Sequence, residues 1–225
     1  MPNWCDFSID FMGKPEDIEQ LDKSFMVPEG EIDPDDGYRD YDLTRALPIP
    51  EELRITSTYI SLDEVNENPE YEELRHKYIA NLEKYGYKDW YDWCIDNWGT
   101  KWAPEITDID NFDNGHMSVR GQSAWGPPDR LVQHITSLYP VDAYVSYQET
   151  GMGFAGVDAY RGGEQIYRSY FDFSDVPAIA QAYDLVEQDL DGDGWQAYYD
   201  AIEDAISSRE STAMDAMKRT QKENN

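Results

Sequence analysis

The residues of this chain most able to do chemistry are carboxylates. Asp189, Asp191, Asp193 and Asp200 stand at positions 1, 3, 5 and 12 of the stretch DLDGDGWQAYYD, with Gly194 at position 6. That spacing lets a twelve-residue loop wrap calcium in oxygen ligands, the glycine allowing the sharp turn. Two positions depart from the pattern: Gln196 stands at position 8, where an apolar residue is usual, and Asp200 is shorter than the bidentate Glu of position 12. The competing reading is an acidic turn that caps a helix. Calcium is therefore the one cofactor this sequence admits, in a structural and not a sensory role, and otherwise no cofactor is expected.

The remaining motifs offer less. Gly151, Gly153 and Gly156 satisfy G-x-G-x-x-G, but a phosphate-binding loop must open a helix, and Val157 to Tyr160 continues as a strand. A hairpin turn is the expected use. His76, His116 and His134 lie in three unrelated settings with no H-x-x-x-H spacing, and Ser123 in GQSAW lacks the second glycine of a nucleophile elbow. Carboxylates are so abundant that any chosen acid and base pair is uninformative. No catalytic residue is assigned, and the chain is not read as an enzyme.

At 225 residues, 40% hydrophobic and 14% aromatic, the chain has the composition of a globular protein with a sizeable core. Its outlying property is charge: 47 acids against 18 bases, net −29. That balance excludes ordinary nucleic-acid binding through phosphates, which needs lysine and arginine, and argues against an anionic membrane surface. The charge is uneven, because 111–171 is nearly balanced while 172–210 holds Arg209 as its single base. Between residues 29 and 42, Glu29, Glu31, Asp33, Asp35, Asp36, Asp40 and Asp42 face only Arg39. Solubility and adaptation to salt are bland accounts of such acidity; a surface made to meet a basic partner is the sharp one. Cys5 and Cys94 offer neither a metal quartet nor a disulfide framework and read as reduced core residues. With no basic leader and no run of about 20 apolar residues, the expected location is cytoplasmic.

The elements that must position these groups are organised around Lys88 to Trp102, KDWYDWCIDNWGTKW, which holds four of the seven tryptophans. Wound as a helix, it sets Trp90, Tyr91, Trp93, Cys94, Ile95 and Trp98 on one arc and Asp89, Asp92 and Asp96 opposite. Gly99 stands where a C-cap glycine belongs. An aromatic platform for a ligand would stand among basic residues; here aspartates interleave, which favours a structural core. Before it, Asn3 to Met12 alternates as a strand, Pro15 opens a short helix, 27–56 reads as a long acidic insertion, and Asn68 to Tyr87 is helical with Tyr71, Leu74, Tyr78 and Leu82 on one face. After it come strands near Ile106 and Met117, a helix with Leu131, Ile135 and Leu138 inward, and two or three glycine-punctuated strands. Ser174 is placed as an N-cap, and a second helix from Trp195 completes an acidic helical hairpin over 173–210. Residues 211–225 are polar and expected to fray.

MPNWC at the start, NWGTKW at 97–102, AWGPP at 124–128 and Y-x-E-x-G-x-x-F-x-G at 147–156 occur in that order. Together they resemble the YubB-like, Api-type proteins of phages and plasmids. Asp6 and Gly126 are small departures from the pattern, where Asn and Ser would be expected. The resemblance covers roughly 1–170 and implies an α+β fold: a ferredoxin-like antiparallel sheet with helices on one face, to which this chain adds the C-terminal hairpin. It implies no reaction and carries over no functional residue.

The expectation that follows joins the mobile-element resemblance to the charge. The chain reads as a binding protein that inhibits a host nucleic-acid-binding defence protein, a restriction nuclease or CRISPR effector, by DNA mimicry. Its partner surface would include the seven acids of 29–42 together with Glu203 and Asp204. The partner is a host protein with a basic nucleic-acid-binding groove, and no direct contact with nucleic acid or membrane is expected. The alternative is a calcium-stabilised accessory or structural protein whose acidity keeps it soluble.

Overall fold

Cys5, Phe7, Ile9 and Phe11 are buried on one side of the first strand while Asp6, Ser8 and Asp10 point to the other. Strict alternation predicts such a split, and it leaves Trp4 on the aspartate side, 41% exposed, with Cys5 inward. A computed structural model describes residues 3–28, 41–56, 59–112, 114–188 and 193–223 of the chain. The elements run β1 (Trp4–Met12), α1 (Pro15–Phe25), α2 (Leu62–Glu67), α3 (Glu72–Tyr85), α4 (Trp90–Trp98), β2 (Glu105–Phe112), β3 (His116–Ala124), α5 (Asp129–Leu138), β4 (Asp142–Glu149), β5 (Phe154–Arg161), β6 (Glu164–Asp172), α6 (Pro177–Gln188) and α7 (Asp193–Glu223).

All six strands form one sheet in the order β2-β3-β1-β4-β5-β6, and every neighbouring pair is antiparallel. The first four strands, with α1 and α5 as crossovers, make the β-α-β-β-α-β arrangement of a ferredoxin-like domain. β5 and β6 extend it as a meander from the edge at β4. The connection from α1 to β2 is longer than the acidic insertion expected at 27–56, because it runs from Met26 to Pro104 and carries α2, α3 and α4.

Two faces of the sheet are clothed differently. On the front, Phe7, Ile9, Phe11, Met117, Val119, Ala143, Val145 and Tyr147 meet Ile18, Leu21 and Phe25 of α1, Trp93, Cys94 and Trp98 of α4, and Leu131, Val132 and Ile135 of α5 in one cluster. On the back, α6 and α7 cover β4, β5 and β6: Ala155, Phe171 and Phe173 meet Ile179, Tyr198 and Ile202, and Val157 and Ala159 meet Ala213 and Met217. Helices on one face, as the resemblance implies, describes α1 and α5; the C-terminal pair adds a second layer behind. β5 is consequently buried on both sides.

Several boundaries differ from the sequence reading, each for a packing reason. Residues 211–223 continue α7, because Ala213 and Met217, four apart on one stripe, are buried against the sheet in an otherwise polar run. Arg161 pins that end, its Nε and Nη2 donating to Asp142 and its Nη2 also donating to the Met217 carbonyl at 2.8 Å. Ser174 lies in a one-turn 3-10 segment, Phe173–Asp175, and α6 begins later at Pro177. Leu138 on α5, Leu82 on α3 and Tyr91 and Ile95 on α4 were expected inside and are exposed. Asp89, expected on the charged face of α4, is buried as its N-cap and accepts from the Tyr91 N–H at 2.9 Å.

Candidate functional site

Part of each sequence-predicted site lies among the described residues. Of the calcium set, Asp189 and Asp191 lie outside the described residues, and so do Glu29, Glu31, Asp33, Asp35, Asp36 and Asp40 of the acidic surface. α7 begins at Asp193, so position 5 of the supposed loop is already helical. Seven residues on, Asp200 is displaced by about 10 Å along the axis, at ~1.5 Å per residue. The Asp200 carboxylate instead accepts from Gln196 Nε2 at 2.7 Å on the helix surface. Among the described residues no group of three or more His, Cys, Asp or Glu side chains is placed to hold a metal ion.

Asp42 is likewise no free surface acid. It caps the 3-10 turn Leu43–Ala46, accepting from the Thr44 N–H at 2.8 Å and its hydroxyl at 2.6 Å. Glu203 and Asp204 do stand exposed on α7, beside Asp200. The denser acidic surface lies outside the predicted sites: Asp63, Glu64, Glu67, Glu70, Glu72 and Glu73 are all exposed along α2 and the start of α3, with no base between them. Among the described residues only Glu73 of these is paired, with Lys77 one turn on, at 2.7 Å and largely in solvent. The signal was present as a run of acids, but the longer run at 29–42 outweighed it.

Other carboxylates are occupied. On the open back of β2, β3 and β1, Arg120 bridges Asp108 and Asp110, Gln122 Nε2 donates to Asp6 at 2.6 Å, and His116 Nε2 lies 2.6 Å from Asp10. Burial, followed by the Asp10 and Glu210 charges, pushes the Tyr144 phenol up, so it stays protonated. Phe112 stacks on the His116 ring, centroids 5.1 Å apart. An Asp–His pair can orient a general base, but among the described residues no Ser, Thr or Cys side chain is hydrogen-bonded to His116. Ser123 donates to the Gly126 carbonyl at 2.7 Å and serves the turn. His76 sits exposed on α3, and burial lowers the pKa of His134 on α5.

Two acids are buried on the front face. Glu149 accepts from the Gly151 and Met152 N–H groups at 2.8 and 2.6 Å and closes the β4–β5 hairpin, which is where the GMGFAG glycines lie. Asp158 on β5 is 1% exposed, and neither carboxylate oxygen has a hydrogen-bond partner. Arg168 Nε approaches only to 4.0 Å. Burial, partly offset by Arg168, raises the Asp158 pKa to about 6. Both cysteines are free and buried, and burial pushes the Cys94 thiol up to about 12, so neither is a nucleophile.

The aromatic residues form two clefts. One, of about 480 Å³, lies between α4 and residues 42–56 and is lined by Trp90, Trp98 and Trp102 together with Arg54 and Lys101. Lys101 Nζ stands 4.6 Å over the Trp102 ring and 5.0 Å over Tyr91. The other, of about 460 Å³, lies between the β4–β5 hairpin and α6 and α7, and its lining holds Phe173, Tyr183 and Tyr198 with Asp172 and Asp184 and no base.

The four motifs that carried the resemblance converge at one end of the sheet. Gly99, at φ +84°, faces Asp129 and the Pro127 carbonyl so closely that no Cβ would fit. Thr100 Oγ1 donates to the Ala124 carbonyl at 3.0 Å, and the Trp125 N–H donates to Asn3 at 2.9 Å. NWGTKW, AWGPP and the Asn3 end of β1 are thus a structural clasp between α4, α5 and β1. Residues 97–187 match the family model described as the ferredoxin-like domain in Api92-like protein, which bears out the resemblance over that span. The crystal structure of the protein api92 from Yersinia pseudotuberculosis aligns at 11% identity and a TM-score of 0.43 over 76% of this chain and 98% of that one. No curated protein matches the chain. No helix among the described residues is long and apolar enough to cross a membrane.

Proposed function

We propose that this chain, built on an Api92-type ferredoxin-like domain over 97–187, is a non-catalytic protein that binds a cationic, nucleic-acid-binding surface of another protein and displaces polynucleotide from it. The observation that carries this reading is the exposed acidic surface: six carboxylates within eleven residues at Asp63–Glu73, of which Glu73 is paired with Lys77, and Asp200, Glu203 and Asp204 on α7. Three charges over five residues of helix, Asp200 to Asp204, fall in about 6 Å of axis. Duplex DNA presents one charge per ~1.7 Å, so the linear density on α7 is comparable. The acids also sit on scaffolded helices, so little ordering is lost on binding.

The partner class suggested by the charge and the mobile-element resemblance is a host defence protein such as a restriction nuclease or CRISPR effector. The test is competition. A captured nucleic-acid-binding protein should lose its DNA when the purified chain is added, and the combined change Glu64→Gln, Glu67→Gln, Glu70→Gln and Glu72→Gln should weaken that effect at least roughly tenfold, a loss of about 1.4 kcal/mol. The effect should also shrink as salt rises, since exposed charges are screened. A partner that keeps its DNA in the presence of excess chain at low salt would overturn the proposal.

A further inference from the structure

We infer that the cleft between the β4–β5 hairpin and the α6–α7 pair receives an arginine side chain presented on the surface of a partner protein. The inference shares with the proposed function only a cationic partner, and it rests on different residues. Phe173, Tyr183 and Tyr198 wall the cleft, with Tyr183 and Tyr198 ring centroids 5.5 Å apart at 58° and Phe173 edge-on to Tyr198 at 6.1 Å. Trp195 buttresses Tyr198 edge-on at 5.9 Å. Asp172 and Asp184 stand at its exposed rim, and Met152, 66% exposed, forms the lip.

Ring faces carry negative quadrupole charge, so a cleft of π faces with carboxylates at the mouth attracts a cation held within about 6 Å of the rings. The molecule shows the same preference internally. Lys101 lies over Trp102 and Tyr91 in the α4 cleft, and the Arg209 guanidinium lies 3.9 Å over Phe171 on the same side of the sheet as this cleft. The α6–α7 cleft differs in one respect: among the described residues no lysine or arginine stands over Tyr183, Tyr198 or Trp195, and Asp184 has no ion-pair partner. Its lining supplies every part of such a site except the cation. A planar guanidinium suits it better than an ammonium, because it can lie flat on a ring and still reach a carboxylate with its edge. An anionic occupant is opposed by both aspartates and by the net charge of −29.

The test uses the full chain and three probe peptides: acetyl-Gly-Arg-Gly-amide, its citrulline analogue, which keeps the shape without the charge, and its lysine analogue. The arginine peptide should give saturable shifts of the Tyr183, Tyr198 and Trp195 ring resonances, with citrulline roughly tenfold weaker and lysine weaker than arginine. Asp184→Asn and Tyr183→Leu, both at exposed positions, should each weaken arginine binding roughly threefold or more with the melting temperature unchanged. Equal response to arginine and citrulline, shifts confined to α2 and α3, or a lysine peptide as tight as arginine would overturn the assignment. Saturable arginine binding in a chain that displaces DNA from no partner would leave the cleft standing and remove the proposed function. Displacement of DNA that survives Tyr183→Leu, with no arginine peptide in the cleft, would do the reverse.

Discussion

The two aromatic clusters of this chain, around α4 and around α6 and α7, share composition and differ in what satisfies them. In the first, Trp93 and Trp98 are buried edge-to-face at 5.7 Å, Trp98 Nε1 donates to Leu47 at 2.9 Å, and Trp90 Nε1 donates to Ile55 at 3.1 Å. Lys101 covers the rings that remain. In the second, Trp195 and Tyr199 are stacked at 6.1 Å and nearly half exposed, and Tyr183 is as open. The first cluster is closed by groups of its own chain, whereas the second is left with two aspartates at its mouth. Aromatic content alone therefore does not separate a core from a docking surface; the donors and cations already in place do.

Substitutions can break that contrast, and the largest effect is expected at Trp98. Trp98→Ala removes a buried indole and leaves the Leu47 carbonyl without its donor, so thermal or denaturant unfolding should show a loss of about 3–5 kcal/mol. Trp195→Ala should lose less than about 1 kcal/mol; equal losses would show that the second cluster is core as well. Met217→Ala comes next, at about 2–4 kcal/mol, because that side chain anchors the far half of α7 on the sheet. A negligible change there would mean that the end of α7 does not bear on the fold.

Asp158→Asn should change stability by about 2–3 kcal/mol in the opposite sense, and only above a threshold pH. The folded carboxyl holds its proton up to about pH 6, against ~3.9 when unfolded. Folding therefore takes up a proton between those values, and the stability this group contributes falls as pH rises from about 4 through 6. The variant should gain at pH 7.5 and gain nothing near pH 4, and a pH-independent difference would refute the buried-carboxylate account. The smallest effect is expected for Lys101→Met, at most about 1 kcal/mol, and it should open the α4 rings to the same arginine peptide. Failure to do so would mean that the two clefts differ by more than one cation.

Local chemistry was legible where a single turn or strand decides it. Pro15 and the acids behind it give α1 its start, Gly86 and Gly99 terminate α3 and α4 at φ +80° and +84°, and the alternation from Cys5 to Phe11 gives β1. Five or six strands, the α+β class and a hairpin turn at the GMGFAG glycines follow from the same short-range signals, and the structure makes the strands six. The candidate sites were not legible in that way. The twelve-residue spacing at Asp189–Asp200 counts positions, and position becomes geometry only once the backbone is known to be loop or helix; α7 already runs through Asp193.

What the sequence determined by itself is therefore the periodicity, the caps and the charge, all set by neighbours within a few residues. Tertiary structure decided which apolar faces are buried: Ile95 and Leu138 are not, while Ala213 and Met217, in a stretch polar enough to fray, are. It also decided which carboxylates are free. Asp42 and Asp89 are consumed as caps and Asp10 by His116, but Asp63 to Glu73 and Asp184 are left to solvent. A side chain's availability depends on atoms far away in the chain, and those distances are fixed only when the sheet brings its two faces together.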